Sequence, residues 1–501
     1  MDEIEKAEQR YINIIRKFTT CELLEYFSKK SIEAYQNGKK GFTICDVPYY
    51  NKNGLKGIVK GFCYGQWELV QICYNSIRFS NDYRGKTVDE SDYFNLLNEN
   101  KIYDETIEVV DEDALKLFEH MQCLSNIQFD FQTLNTVTKF NRMYQILVTI
   151  NKNTKYNQTE EVCYIDIEKE FKKITNIQLN KFIDIYFFLI LLSSTRKNTN
   201  IFDIIKDLEF DVSKLGFSKD DIVNVIELLS KDYEFYKNTD NWNLLRFYPI
   251  VKTNKGENNY IITNIFSLML SFPESIYWII RNHYCELNCS DFTTYFGNSF
   301  EYYVQEIFEF YKINCQKLKV SKKQSIQMPD WKVETDKYIF LIEQKSSLFP
   351  IDTRTSSKKE RFEKLEQYFN KSLVKGFNQL NSFKIDNTQK TIIRICLTFE
   401  KIYMEENAKR IIEEKMTFSS DINLNWIVNI DEFEILMKIL SENEEEFNKI
   451  IEKKIYLEVT EDKTGRNFEK LLAGHKYDYA NKVLNHFNFL GDNLKNKLKN
   501  V

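Results

Sequence analysis

Asp330, Glu343 and Lys345 fall in one short stretch and are residue types that can do chemistry together. The chain there reads Met328-Pro329-Asp330-Trp331, a polar turn, then Tyr338-Ile339-Phe340-Leu341-Ile342-Glu343-Gln344-Lys345. Two carboxylates brought to one point repel and are costly unless a cation neutralises them. Oxygen ligands with no His or Cys beside them suit Mg or Mn better than Zn. A divalent ion held this way can polarise a phosphoryl oxygen and lower the pKa of a bound water. A neighbouring lysine can orient that water or stabilise negative charge in the transition state. Phosphodiester hydrolysis is the chemistry these residues fit.

The elements that must position them can be read from the flanking pattern. Tyr338 to Ile342 is apolar, β-branched and aromatic, and bounded by polar residues, which predicts a buried strand. Side chains alternate along a strand, so Glu343 and Lys345 share a face. Trp331 to Val333 reads as the preceding strand of a hairpin that turns near Glu334-Thr335-Asp336. That hairpin can bring the Asp330 carboxylate beside Glu343. An isolated Glu-x-Lys at a strand end is more often a surface ion pair, so what flanks it decides the reading.

Pro329-Asp330 followed by Glu343-Gln344-Lys345 resembles the PD-(D/E)xK nuclease superfamily, the restriction-endonuclease-like fold. Upstream, Gly297-Asn298-Ser299-Phe300-Glu301-Tyr302-Tyr303-Val304 is similar to the family's first core helix, whose acid faces the metal site. Downstream, Lys375-Gly376-Phe377-Asn378-Gln379-Leu380 is similar to the helix after the catalytic strand, which often carries a Gln near the site. The resemblance covers roughly two-fifths of the chain. It implies catalytic roles for Asp330, Glu343, Lys345, Glu301 and Gln379. It also implies Mg (or Mn) held by Asp330, Glu343 and the Gln344 backbone carbonyl, with Glu301 binding a second ion or orienting the first. The implied fold is an α/β domain with a mixed central sheet, and the implied substrate is nucleic acid, DNA first.

The rest of the chain bounds that reading. Its 501 residues allow two or three domains, and 43% hydrophobic with 29% charged content allows a buried core. The formal net charge of -5 gives no global basic field, so nucleic-acid binding needs a local patch. Candidates for that patch are Lys322, Lys323, Arg354, Lys358, Lys359, Arg361 and Lys375, with Lys364 and Lys371 between them and Glu360, Glu363 and Glu366 diluting the charge. Solvated faces are an equal reading for these. The charged start Met1-Asp2-Glu3-Ile4-Glu5-Lys6 and scattered cysteines lead us to expect a reduced, cytoplasmic protein. The most apolar run, Ile183 to Leu192, is too short to span a bilayer and predicts a buried helix.

Three regions are expected. Residues 1–110 read as mixed α/β, with helix to Gly38 and glycine-rich turns or short strands from Phe42 to Tyr64. Residues 111–289 read as helical, with a hairpin pairing Phe247–Val251 and Tyr260–Ile262 and a helix after Pro273. His283, Cys285 and Cys289 lack a second pair of ligands nearby and read as packing residues. Residues 290–501 carry the nuclease-like domain, in which Asp431 is expected to cap a helix after the strand Asn425–Ile430. The fold class is therefore a mostly α-helical N-terminal region followed by a restriction-endonuclease-like α/β domain. The helical part would sense, recruit or restrain, an arrangement similar to bacterial anti-phage defence nucleases. A homo-oligomer or a defence partner protein fits that picture. The alternative is a catalytically inactive nuclease-like platform that binds DNA or assembles with a partner.

Overall fold

The computed structural model describes residues 3–39, 41–51, 54–83, 85–107, 121–125, 128–131, 136–152, 164–195, 200–201, 212–239, 241–255, 259–318, 328–349, 358–416, 422–460, 468–475 and 479. Among these, helix predominates, with an antiparallel sheet of two strands and mixed sheets of three and five.

Helices Glu3–Ile15 and Thr20–Gln36 sit where apolar spacing places them, the second capped by Thr19, whose side chain accepts from the Glu22 N–H. The glycine-rich stretch that follows is one long antiparallel hairpin, β1 (Phe42–Asn51) and β2 (Gly54–Gly65). A small sheet of β3 (Ser230–Asp232), β4 (Ile250–Lys252) and β5 (Tyr260–Ile262) lies among the later helices. Its β4–β5 pairing is the expected hairpin shifted toward the C-terminus, because Leu244–Phe247 forms a helical turn. Ile183 to Leu192 lies in the largely buried helix Leu179–Thr195. No single described helix is long and apolar enough to cross a membrane.

The helix expected after Pro273 starts earlier and runs from Ile265 to Glu286 through that proline. Asn264 starts it, its side-chain oxygen accepting from the Phe266 and Ser267 N–H groups. Proline in a helix interior forfeits one backbone hydrogen bond. Here about two well-capped apolar turns precede it and hold the helix together.

The five-stranded sheet positions the candidate site. Its strands are β6 (Cys315–Lys317), β7 (Trp331–Glu334), β8 (Tyr338–Lys345), β9 (Thr391–Thr398) and β10 (Asn425–Asn429), side by side in that order. β6, β7 and β8 form an antiparallel meander, and β8, β9 and β10 run parallel. Period-two alternation splits β8 between two cores. Tyr338, Phe340 and Ile342 join the large core with Trp331, Phe300, Val304 and Ile307. Ile339 and Leu341 face the other way, against Phe369, Leu373, Phe377 and Leu380. Continuing the count, Glu343 and Lys345 emerge on the second face, under the helix Lys375–Ser382.

The large core is continuous from Tyr11 to Tyr479 and draws on all three regions. A buried polar knot crosses between them. Arg142, on the helix Thr136–Tyr144, donates from Nε to Glu434 at 2.8 Å and pairs with Asp431 at 2.5 Å. Glu434 also accepts from the Tyr303 hydroxyl at 2.7 Å. Asp431 is thus not the cap it was expected to be. Asn429 caps the helix Ile430–Glu442 in a capping box with Glu432, which leaves Asp431 one step into the helix and turned to Arg142.

Candidate active site

β7 and β8 pair with Trp331 opposite Ile342, so the register carried one step on sets Asp330 opposite Glu343. The hairpin thus brings together the two acids that lie apart in sequence. The Asp330 carboxylate accepts from the Gln344 N–H at 2.8 Å, which holds it at the end of the pair. Glu343 and Lys345 share a face, as alternation requires, and Lys345 Nζ lies 2.6 Å from Glu343 Oε1. The same amine donates to Gln379 Oε1 at 3.1 Å. The Gln344 side chain takes the other face, where its Oε1 accepts from the Trp331 indole N–H at 3.1 Å.

Burial sets the electrostatics. The Glu343 side chain is only 4% exposed. Desolvation, then the nearby Glu343 charge, push the Asp330 carboxyl up to about 7, against a smaller pull from the Gln344 N–H. Glu343 is raised too, by desolvation first, with Lys345 and then Lys375 pulling it back down. Beneath them the Cys396 thiol is pushed up to about 12 by burial, so it is an inert packing group.

Glu301 lies on the helix Asp291–Phe310, as expected, but that helix packs on the opposite layer of the sheet through Phe300, Val304 and Ile307. Its carboxylate is ion-paired with Lys317 of β6. Its charge still reaches Asp330 and contributes to raising it. No group of three or more His, Cys, Asp or Glu that could hold a metal ion forms among the described residues. The converging set is therefore two acids, one amine and one amide.

Of the basic candidates, Lys375 is exposed at the start of the Gln379 helix and acts on Glu343. Lys358, Lys359 and Arg361 lie on the first turn of the helix Lys358–Phe369, and their side chains fall outside the described residues. Lys322, Lys323 and Arg354 also lie outside them.

Gly376 has a role that its sequence context alone does not reveal. A Cβ there would stand 2.9 Å from Cys396 Sγ and 3.0 Å from Lys345 Cε. A larger residue there would push Cys396 Sγ and the Lys345 side chain aside, so glycine favours the close approach of this helix to β8 and β9. Gly376→Val is expected to displace the helix and cost about 1–3 kcal/mol of stability through overpacking, more than Gly376→Ala does. Denaturation midpoints of the two variants check this.

The residues fit a hard divalent cation. Glu343 Oε2 is buried and has no hydrogen-bond partner among the described residues, and the donors are carboxylate oxygens. A proton on Asp330 competes with a cation for the same oxygens, so Mn affinity is expected to fall as pH drops below about 7. The metal-free fold responds in the opposite sense. A carboxyl raised above its unfolded value contributes stability at low pH that is lost as pH rises through about 7. Asp330→Asn removes the charge, keeps an acceptor for the Gln344 N–H, and is expected to stabilise the metal-free protein at pH 8 by about 3–4 kcal/mol. The difference should shrink as pH falls and vanish below about pH 4, where the carboxyl is protonated in folded and unfolded chains alike.

Comparison of the chain with protein-family models, with curated proteins and with solved structures gives no match.

Proposed function

We propose that the chain is a metal-dependent nuclease hydrolysing phosphodiester bonds in DNA, with a restriction-endonuclease-like α/β domain carrying the site. The observation that carries this reading is the junction of Asp330, Glu343, Lys345 and Gln379 at the ends of β7 and β8. The order of elements supports it: a helix, an antiparallel meander ending in Glu-x-Lys, a helix bearing a glutamine, then a parallel strand.

Asp330 and Glu343 would hold the cation. Mg or Mn, when bound, supplies Lewis-acid polarisation of a phosphoryl oxygen and a lowered pKa for a coordinated water. The chain's own groups do the remaining work. With Glu343 engaged by a cation, Lys345 would be released from it and kept in place by Gln379, which already accepts from the same amine. That ammonium orients the attacking water and meets the negative charge that grows on the phosphate oxygens. Gln379 keeps the amine from returning to Glu343.

Incubation of the full chain with supercoiled plasmid and Mg or Mn, with EDTA as control, tests the reading. Nicked or linear product that EDTA abolishes is expected. Intact DNA with both metals, with binding retained, would favour the inactive platform.

A further inference from the structure

Immediately beyond β8, Ser346, Ser347 and Leu348 form one wall of an open cleft of about 340 Å³. The other walls come from the helix Ile265–Glu286, which contributes Tyr277 and Arg281, from Phe296 on the helix Asp291–Phe310, and from Lys364, Tyr368 and Lys371 after β8. The charged residues lining it are Arg281, Lys364 and Lys371, and none of the described lining residues is acidic. The cavities beside the loop after β9 differ: one of about 230 Å³ is lined by Glu405, Glu432 and Glu469 with a single lysine, Lys401.

The cleft is built rather than incidental. Tyr368 stacks on Phe349 with ring centres 4.3 Å apart, and its hydroxyl donates to the Ser347 carbonyl at 3.3 Å. Arg281 lies over the Trp278 ring at 5.1 Å, which fixes the guanidinium at the rim.

Tyr277, Phe296 and Tyr368 are buried and form the floor of the cleft, so its binding character comes from the three basic groups, which suit a groove that tracks the backbone of a single strand. The volume suits one small ligand and excludes a duplex. Three residues of extended chain reach at most about 10 Å from Lys345, which sets the cleft a short way along the strand from the site. We propose that this cleft holds an unpaired nucleotide of the substrate strand, a short way from the scissile phosphate, with Arg281, Lys364 and Lys371 taking the flanking phosphates. The enzyme then prefers DNA with a single-stranded segment at the cut site. Naming the occupant as substrate rests on the nuclease reading; the cleft's affinity does not.

The test is fluorescence anisotropy of the full chain in EDTA, with a labelled oligothymidylate and a blunt duplex of equal length. Single strand is expected to bind at least about fivefold tighter. Lys371→Ala and Arg281→Ala should each weaken it about three- to tenfold and flatten the log-log salt dependence by about 0.7. Lys371 is exposed on its helix, so its variant keeps the fold, and Lys371→Glu should weaken binding further. Equal affinity for both DNAs, or single-strand binding unmoved in both alanine variants, overturns the proposal. Because EDTA suppresses turnover, the two readings fail separately. Cleft-dependent binding without any cleavage defeats only the nuclease; cleavage with cleft variants indistinguishable from the parent defeats only the cleft.

Discussion

Lys345→Ala should slow DNA cleavage by at least about 10²-fold while leaving Mn affinity equal or higher. The split follows from the metal-free geometry. Lys345 Nζ lies 2.6 Å from Glu343 Oε1, so the amine is itself the cation that any metal must displace. On the proposed mechanism, removing it would unburden the cation site and at the same time remove the group that meets charge on the phosphate. Lys345→Arg keeps the charge but cannot place it, because a planar fork does not fit the position of one ammonium between Glu343 and Gln379. Calorimetric Mn titration beside plasmid cleavage separates the two effects. Equal turnover in the alanine variant, or loss of Mn binding with it, would deny Lys345 this role.

Arg142→Met should be the most destabilising single change at a polar residue, by about 3–5 kcal/mol, because it strands buried carboxylates. The Arg142 and Glu434 side chains are 4% and 1% exposed. Burial already raises the Glu434 carboxyl and the Arg142 charge opposes it, so losing Arg142 raises it further. The sign of the pH dependence follows. A carboxyl lifted above its unfolded value stabilises at low pH and loses that contribution as pH rises, so the variant's deficit should widen from pH 5 to pH 8. Adding Glu434→Gln, which keeps an acceptor for the Tyr303 hydroxyl, should recover much of the loss at pH 8. Urea midpoints at the two pH values measure both effects. A deficit independent of pH would mean that packing, not stranded charge, sets the cost.

The β8 hairpin was legible because everything that defines it is local. A short apolar run, a polar turn and strict alternation suffice to put Glu343 and Lys345 on one face and Asp330 opposite. The helix carrying Gln379 was legible only through the family resemblance; Phe377 and Leu380 turn to the second core with Gln379 beside them. Glu301 shows the limit. Its helix was readable, but the layer of the sheet it covers is a tertiary choice, and that choice pairs it with Lys317. Asp431 and Pro273 err for one shared reason: competing caps, Asn429 and Asn264, outrank the residue that looked decisive in isolation. Arg142 and the Arg281 cleft carry no sequence signal at all, because each becomes meaningful only where the helical region meets the sheet.

The most direct measurement is anomalous diffraction from crystals of the full chain soaked in Mn. The account predicts one strong peak within about 2.3 Å of carboxylate oxygens of both Asp330 and Glu343, with the Lys345 amine withdrawn from Glu343 and still bonded to Gln379. A peak that touches neither carboxylate, or a Lys345–Glu343 pair that stays closed at saturating Mn, would contradict it.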